Sequence, residues 1–255
     1  MKKLSTKEIQ EKLKVIIEET DPFLLEIEKD ERKSVQKLIQ SWKKRMEMQQ
    51  KEKLKFEQML SYENDVWEKG IQYIAGIDEV GRGPLAGPVV AAAVVLPKDF
   101  ILYGVDDSKK LSEKKRDEYY TYIINNALTY GVGIISNERI DEINIYEATK
   151  EAMQEAIQKL TITPEHLLID AMKLPLDIEQ QSIIKGDANS ISIACASIVA
   201  KVVRDRLMKE IHEEYPHYAF DKNAGYGTKD HLKGLEQFGY TPYHRKSFSP
   251  IKEMI

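Results

Sequence analysis

Four carboxylates in the glycine-rich part of the chain are candidates for a catalytic or metal-binding site. Asp78 and Glu79 are adjacent at the end of an apolar segment, Asp170 ends another apolar run, and Asp187 follows a glycine just before a predicted helix. Magnesium and manganese prefer carboxylate oxygens as ligands, and two such ions about 4 Å apart promote phosphodiester hydrolysis. If the four acids converge, the sequence predicts a two-metal site of this kind.

Each acid also has a structural interpretation, which the residues alone leave open. An Asp-Glu pair before a turn is often solvated, Asp170 would serve as a turn residue, and Asp187 would cap the helix after it. Asp205 lies between two arginines in a predicted helix; it competes as the fourth acid but suits an ion pair better. Since consecutive strand side chains point to opposite faces, we expect the backbone to leave the strand at Asp78 and Glu79 if both serve one site.

The elements that must position these acids are typical of an α/β domain with a mixed sheet. After Gly70 a strand, a glycine-rich turn and a second strand are predicted. Further strands are predicted at residues 130–135 and 166–170, with helices at 113–128, 140–160 and 190–213. Strands that come first and then alternate with helices favour this fold class.

The first part of the chain differs in composition. We predict a helical, charged extension at residues 1–70 and the catalytic domain at residues 71–255, with a helix break near Pro22. An apolar stripe at helical spacing runs through residues 34–59. Residues 29–55 hold ten Lys or Arg against four Asp or Glu, which leaves two interpretations: an accessory segment packed on the main domain, or a basic face that aids substrate binding.

Composition and motifs exclude several other classes. The longest apolar run, residues 89–96, is far shorter than the ~20 residues of a membrane-spanning helix, and no apolar stretch follows the basic start of the chain. The single cysteine, Cys195, cannot form an internal disulfide, so the cytoplasm is the expected compartment. No P-loop, dinucleotide fingerprint, zinc-ligand spacing or G-x-S-x-G elbow is present. The net charge of −4 does not by itself indicate a nucleic-acid binder.

The segment GIDEVGRGPLAGP, at residues 76–88, closely resembles the prokaryotic ribonuclease HII family. The likeness continues in the family's order and spans about residues 73–248. Its further pieces are DSKKLS (107–112), NIYEAT (144–149), LID (168–170), KGD (185–187), ASIVAKV (196–202) and GYGT (225–228). So many collinear pieces make a chance similarity very improbable.

This resemblance implies a ribonuclease H-like fold and particular site residues. The catalytic and metal-binding acids would be Asp78, Glu79, Asp170 and Asp187, so Asp187 is preferred to Asp205. The turn at Gly81, Arg82 and Gly83 would sense the ribose 2′-hydroxyl, which distinguishes RNA from DNA, and Tyr226 would stack on the next deoxyribose. Phosphate contacts are expected from Lys109, Lys110 and Lys201. No role is assigned to His231, Arg245 or Ser247.

By the same resemblance we expect an endonuclease that uses two Mg²⁺ or Mn²⁺ ions. It would hydrolyse the RNA strand of RNA/DNA hybrids and cut 5′ of single ribonucleotides in duplex DNA, leaving 3′-hydroxyl and 5′-phosphate ends, in DNA repair and replication. No membrane partner and no oligomer larger than a monomer are expected.

Three alternatives remain at this point. A ribonuclease HIII-like hybrid nuclease is the nearest, but that family has threonine in place of Arg82 and usually a sheet-containing amino-terminal domain. The others are a non-catalytic nucleic-acid binding protein and a nuclease of DNA junctions.

Overall fold

The computed structural model describes residues 4–105, 108 and 111–255 of a chain that divides into two compact units. The first unit is Met1–Phe56 and the second is Glu57–Ile255. The assignment of residues 1–70 and 71–255 to separate domains stays a prediction. In the described part of the chain, none of the helices has the length and apolar character needed to cross a membrane.

The first unit is built from helices around a small core of its own. Its helices are α1 (Thr6–Val15), α2 (Pro22–Ile27) and most of α3 (Lys33–Met59). The predicted break is confirmed, because Pro22 opens α2 and the Asp21 carboxylate accepts a hydrogen bond from Phe23 N–H at 2.8 Å. The predicted stripe packs into the core, whose buried members are Ile9, Leu13, Ile16, Leu24, Ile27, Val35, Ile39 and Trp42.

Part of the basic excess in this unit is used inside it. Arg32 forms an ion pair with Asp30, and Lys43 forms one with Glu28, both at 2.7 Å. Arg45 donates to the carbonyl of Leu13 at 2.6 Å. These three bases help to hold the helices together, so a role of the remaining bases in substrate binding stays a prediction.

The second unit contains a five-stranded mixed sheet in the order β3-β2-β1-β4-β5. β1 is antiparallel to β2 and parallel to β4, β2 is antiparallel to β3, and β4 is parallel to β5. The strands are β1 (Ile74–Val80), β2 (Val89–Val95), β3 (Thr129–Ile135), β4 (His166–Asp170) and β5 (Glu179–Ile183). The helices are α4 (Ser61–Trp67), α5 (Glu113–Asn126), α6 (Asn137–Gln158), α7 (Gly186–Asn189), α8 (Ile191–Glu214), α9 (Phe220–Asn223) and α10 (Lys229–Phe238). The expected α/β fold with a mixed sheet and a helical N-terminal part is confirmed.

The two central strands are covered by helices on both faces. All seven residues of β2 are buried, which explains its uninterrupted apolar sequence. One face packs against α6, and α8 lies on the other face. Gly76 of β1 lies under α8 so closely that a β-carbon there would overlap the backbone of Ser192. The face of β1 that carries Gly76 is therefore the face towards α8.

The predicted helix at residues 140–160 begins earlier and is interrupted. α6 spans Asn137–Gln158, and Asn144 inside it has φ 68° and ψ 164°. The Asn144 side chain accepts hydrogen bonds from the N–H groups of Tyr146 (2.9 Å) and Glu147 (3.2 Å). Asn144 thus caps the second half of the helix, and its short polar side chain makes the positive φ tolerable.

Candidate active site

Asp78 lies near the carboxyl end of β1 on the face covered by α8, because alternation places it on the same side as Gly76. It is 5% exposed. Its carboxylate accepts hydrogen bonds from Glu79 N–H at 2.7 Å and from the Ser197 hydroxyl on α8. The Ser197 oxygen is also 3.0 Å from that of Ser108, so a chain of two hydroxyls leads to the acid.

Asp170 is placed next to Asp78 by the register of two parallel strands. Ile77 of β1 pairs with Ile169 of β4, so the two aspartates follow side by side at the same edge of the sheet. Paired residues of parallel strands point to the same face, and both carboxylates therefore lie on the α8 side. Asp170 Oδ1 accepts a hydrogen bond from Gly186 N–H at 2.6 Å, which joins the end of β4 to the start of α7.

Asp187 is the residue after Gly186 and lies in the first turn of the short helix α7. The structure overturns its interpretation as the cap of the long helix. Ser190 is the N-cap of α8, and its hydroxyl accepts from Ile193 N–H at 3.3 Å. We call the carboxyl ends of β1 and β4 together with α7 the acidic edge.

Glu79 is the one predicted acid whose strand position differs from that of Asp78 and Asp170. β1 continues to Val80 with Asp78 paired to Ala92 and Glu79 to Ala91, so the expectation that the backbone leaves the strand here is wrong. Regular alternation would direct Glu79 to the face opposite Asp78, but the charge of Glu79 raises the pKa of Asp78 more than the charge of Asp170 does, so the two adjacent carboxylates interact. Its carboxylate lies 3.6 Å from the guanidinium of Arg82. Among the described residues, no group of three or more Asp, Glu, His or Cys side chains has the geometry of a metal site.

Asp78 is electrostatically strained in this arrangement. Burial raises the pKa of Asp78 well above its ordinary value, and the charges of Glu79 and Asp170 raise it further. The hydrogen bonds from Ser197 and from Glu79 N–H act in the opposite direction. A cation at the acidic edge would reverse the effect of the neighbouring charges.

Asp205 forms ion pairs, as its sequence suggested, although its partners are not the adjacent arginines. It lies 2.6 Å from Lys201 Nζ and 3.7 Å from Arg116. The ammonium of Lys201, expected to contact phosphate, is thus engaged with Asp205, and its phosphate contact stays a prediction. The other two predicted phosphate contacts, Lys109 and Lys110, lie outside the described residues.

The glycine-rich turn after β1 meets the turn that carries Tyr226. A β-carbon added to Gly83 would lie 3.5 Å from Cε1 of the Tyr226 ring. Leu85 N–H donates to the carbonyl of Gly225 at 2.9 Å, which pairs the two turns directly. Tyr226 is 44% exposed, so its side chain is accessible from the solvent. We call residues 81–88 and 224–226 the paired loops.

Comparison with known proteins identifies the family. The chain matches the family model of ribonuclease HII over residues 75–251 and that of the ribonuclease HII N-terminal domain over residues 5–67. A ribonuclease HII from Bacillus cereus (strain G9842) is 59% identical over 255 residues, which are 100% of this chain and 99% of the relative. The chain belongs to the ribonuclease HII family.

Membership of this family makes the chain a nuclease of the ribonuclease H type, which hydrolyses phosphodiesters. Solved structures agree with the fold. The crystal structure of ribonuclease H2 from Pyrococcus horikoshii OT3 is 26% identical, with a TM-score of 0.62 over 71% of this chain and 96% of that one. Bst-RNase HIII in complex with Mn²⁺ has a TM-score of 0.55 at 18% identity, over 71% of this chain and 68% of that one, a likeness of fold alone.

In this family member, His231, to which the sequence analysis assigned no role, and His244, which it did not single out, fix the turn of Tyr226. His231 and His244 are fully buried, and their Nε2 atoms are 2.9 Å apart. Thr241 N–H donates to Nδ1 of His244, so His244 carries its proton on Nε2 and donates to His231. His231 then carries its proton on Nδ1 and donates to the carbonyl of Tyr226 at 2.9 Å. Both rings are therefore neutral, and burial accordingly lowers the pKa of His244 to about 4 and also lowers that of His231.

Two further residues without an assigned role anchor the chain after the last helix. The Ser247 N–H and hydroxyl both donate to the carboxylate of Asp141 on α6. Arg245 is fully buried and donates to backbone carbonyls of the first paired loop. Sequence spacing could not have shown either role, because the partners lie more than 100 residues away along the chain.

Glu63 of α4 binds the start of α8, next to the acidic edge. The sequence analysis did not identify it. It is 2% exposed, and its Oε1 accepts hydrogen bonds from Ser190 Oγ (2.6 Å), Ser192 Oγ (2.6 Å) and Ser192 N–H (3.0 Å). Burial raises the pKa of Glu63 above its ordinary value. A carboxylate at the start of α8 interacts favourably with the helix dipole and fixes the segment that follows Asp187.

Proposed function

We propose that this chain is an endonuclease that requires divalent cations and cuts at ribonucleotides paired with DNA. It hydrolyses the RNA strand of RNA/DNA hybrids and cuts on the 5′ side of a single ribonucleotide in duplex DNA, leaving 3′-hydroxyl and 5′-phosphate ends. The observation that carries the proposal is the position of the acidic edge at the end of β1, directly before the paired loops. β1 thus carries Asp78, a proposed catalytic acid, and leads directly into the turn that is proposed to recognise the ribose.

The donor chemistry fits hard divalent cations. Asp78, Asp170 and Asp187 offer carboxylate oxygens at one edge of the sheet, and Glu79 follows Asp78 directly. Burial and the neighbouring acids raise the pKa of Asp78, which means that its negative charge is unfavourable there. A bound cation would offset this charge. Bst-RNase HIII, which shares the fold, has been crystallised with Mn²⁺. We propose two Mg²⁺ or Mn²⁺ ions, held by Asp78, Glu79, Asp170 and Asp187.

When bound, the cations would supply the positive charge that activates water and stabilises the leaving oxygen. The chain itself positions the acids and the substrate. The Ser197 hydroxyl and Glu79 N–H fix the Asp78 carboxylate, and Gly186 N–H fixes that of Asp170. Since both acids sit on strands within the sheet, they are held more rigidly than loop residues would be.

Recognition of the ribonucleotide is assigned to the paired loops. Gly81, Arg82 and Gly83 present backbone groups to the 2′-hydroxyl, and the exposed ring of Tyr226 stacks on the adjoining deoxyribose. The contact distance between Gly83 and Tyr226 supports a single binding place for both groups. Lys109, Lys110 and Lys201 are proposed to contact phosphates, and the helical extension to increase substrate affinity. The protein is proposed to act as a monomer.

The decisive experiment uses a labelled DNA duplex with one ribonucleotide, incubated with Mg²⁺, Mn²⁺ or EDTA. An otherwise identical all-DNA duplex and a long RNA/DNA hybrid serve as comparison substrates. We expect metal-dependent cutting on the 5′ side of the single ribonucleotide and no cutting of the all-DNA duplex. Cutting of the hybrid alone would indicate HIII-like specificity, and binding without any cutting would overturn the proposal.

A further inference from the structure

Two fully buried arginines lie beneath the paired loops. Arg204 is on α8 and Arg245 follows the last helix, and the exposed fraction of each is 0%. Within the described part of the chain, neither guanidinium forms a salt bridge. A buried charge without an acidic partner is costly unless many dipoles surround it, so their presence calls for a reason other than simple packing.

Arg204 bonds to both of the paired loops at once. Its Nε donates to the carbonyl of Pro88 at 2.9 Å, and one terminal nitrogen donates to that of Ala86 at 3.2 Å. The other terminal nitrogen donates to the carbonyl of Ala224 at 2.8 Å. One planar guanidinium therefore sets the distance between the loop after β1 and the loop that carries Tyr226.

Arg245 holds the turn itself. It donates to the carbonyl of Gly87 from two nitrogens (3.0 and 2.9 Å), to that of Arg82 at 2.8 Å and to that of Gly81 at 2.5 Å. With the three bonds of Arg204, the two arginines make seven hydrogen bonds to six backbone carbonyls. Such bonds to a charged donor are about twice as strong as neutral ones.

The carbonyl directions determine where the amide hydrogens point. In a trans peptide the C=O and the N–H of one unit point in opposite directions. Because the carbonyls of Gly81 and Arg82 point inward at Arg245, the N–H groups of Arg82 and Gly83 point outward. In the described part of the chain neither of these N–H groups has a hydrogen-bond acceptor. Two free donors are thus presented beside the Tyr226 ring, and the buried positive charge polarises their peptides in the direction that strengthens them.

The glycines of the loops are explained by the same packing. Gly81 has φ +93°, and a β-carbon on it would overlap the Arg204 guanidinium; a β-carbon on Gly225 would overlap the carbonyl of Ala86. A glycine is therefore required at position 81 because the Arg204 side chain lies directly beneath the loop, and not because of a contact at the surface. A β-carbon on Gly83, in contrast, would make only an ordinary contact with the Tyr226 ring, at 3.5 Å.

We propose that Arg204 and Arg245 are positioning residues that set the specificity for ribonucleotides, because they orient the N–H donors of the Gly81–Gly83 turn and fix its spacing from Tyr226. This inference rests on the proposed function, in which these loops recognise the substrate. According to this inference, two buried side chains determine which substrates the protein discriminates, although neither side chain reaches the surface.

The test compares Arg245→Lys with Arg206→Lys. Lysine keeps the positive charge but cannot span several carbonyls, whereas Arg206 is an exposed neighbour on α8 whose ion pair with Asp117 lies outside the loops. For each protein, kcat/KM is measured with Mn²⁺ on the single-ribonucleotide duplex and on the long hybrid. We expect Arg245→Lys to lower kcat/KM on the single ribonucleotide roughly 10- to 100-fold and on the hybrid much less, with little change in Arg206→Lys.

Circular dichroism and thermal unfolding accompany the kinetics. A loss that is equal on both substrates and is accompanied by a lower melting temperature would show that Arg245 serves stability alone and would overturn the inference. Should Arg245→Lys fail to fold, Arg204→Lys, which removes fewer hydrogen bonds, is measured in the same way; failure of both to fold would also assign the arginines to stability. If the unaltered protein does not cut ribonucleotide substrates at all, it is the proposed function that fails, and this outcome is visible before any variant is made.

Discussion

The acidic edge gathers negative charge at the ends of two strands, whereas the paired loops surround two buried positive charges with backbone carbonyls. At the edge, Asp78 has an elevated pKa and its two hydrogen bonds only partly offset the neighbouring acids. In the loops, the guanidinium charges are met by seven hydrogen bonds. If the proposed function holds, the acidic edge would need an added cation to offset its charge, whereas the buried charges of the paired loops are already compensated by hydrogen bonds.

The two regions begin at the same strand end, yet they meet different physical requirements. A site for cations must keep carboxylates close together at a cost in stability, while a site that discriminates between sugars must keep its donors from moving. The two regions should therefore respond differently to substitution. Changes at the edge should affect rate more than stability, and changes in the loops should affect both.

The largest expected effect is on catalysis at the edge. Replacing Asp78 with Asn removes a ligand charge and should lower kcat by at least about 1000-fold, which corresponds to several kcal/mol of transition-state stabilisation. Single-turnover cleavage of the ribonucleotide duplex measures the effect. Asp205→Asn is the matched control, because its carboxylate pairs with Lys201 and Arg116. Normal activity in Asp78→Asn would remove this residue from the catalytic set.

The next effect concerns stability in the loops. Gly81→Ala should lower the free energy of unfolding by about 2–4 kcal/mol, because the new β-carbon meets Arg204 and the φ of +93° is unfavourable for alanine. Gly83→Ala should cost much less, since its β-carbon makes only an ordinary contact with Tyr226. Urea denaturation of the two variants compares them. Equal losses would contradict the packing of Arg204 beneath Gly81.

A pH effect of similar or smaller size is expected from the histidine pair. Burial lowers the pKa of His244 to about 4, so between the ordinary value near 6.5 and pH 4 the unfolded chain binds more protons than the folded one. The free energy of unfolding should therefore fall as the pH decreases through this window, by at most about 3 kcal/mol from this residue. Urea denaturation at several pH values would show a shallower dependence in His244→Asn. The same dependence in both proteins would contradict the neutral pair.

The smallest expected effect concerns the stability of the acidic edge without a cation. In EDTA, Asp78→Asn should raise the free energy of unfolding by roughly 1 kcal/mol, because it removes a buried charge repelled by Glu79 and Asp170. Differential scanning calorimetry in EDTA and in Mn²⁺ measures this. Mn²⁺ should stabilise the unaltered protein more than the variant. A destabilised variant in EDTA would mean that the hydrogen bonds of Asp78 outweigh the repulsion.

Local patterns predicted those parts of the fold that depend on local sequence. The apolar run of β2 and the ends of β4 were correct because burial on both faces leaves a plain sequence signal. β5 was not predicted, since its residues Glu179–Ile183 are mostly polar and lie at the edge of the sheet. α10 was also missed, and Asn144 divides a helix that the periodicity presents as continuous.

The candidate site shows the same limit. Asp78 and Asp170 could be named from their positions at strand ends, but their proximity depends on the register between β1 and β4, which the sequence does not reveal. The roles of Arg204, Arg245 and the histidine pair depend on partners far away along the chain. Buried arginine and histidine look like surface residues in a sequence, so no local pattern could have indicated them.

Glu63 makes the start of α8 depend on α4, a helix that lies before residue 71. This residue precedes the first strand, yet its carboxylate is the acceptor for three hydrogen-bond donors at the start of α8. A shortened form starting at residue 71 would keep every strand but leave the buried N–H of Ser192 without that acceptor. A lineage that discarded the extension would therefore have to retain α4 or alter the Ser190 and Ser192 positions at the same time. The carboxylate of Glu63 therefore couples α4 to the start of α8, although more than a hundred residues separate them along the chain.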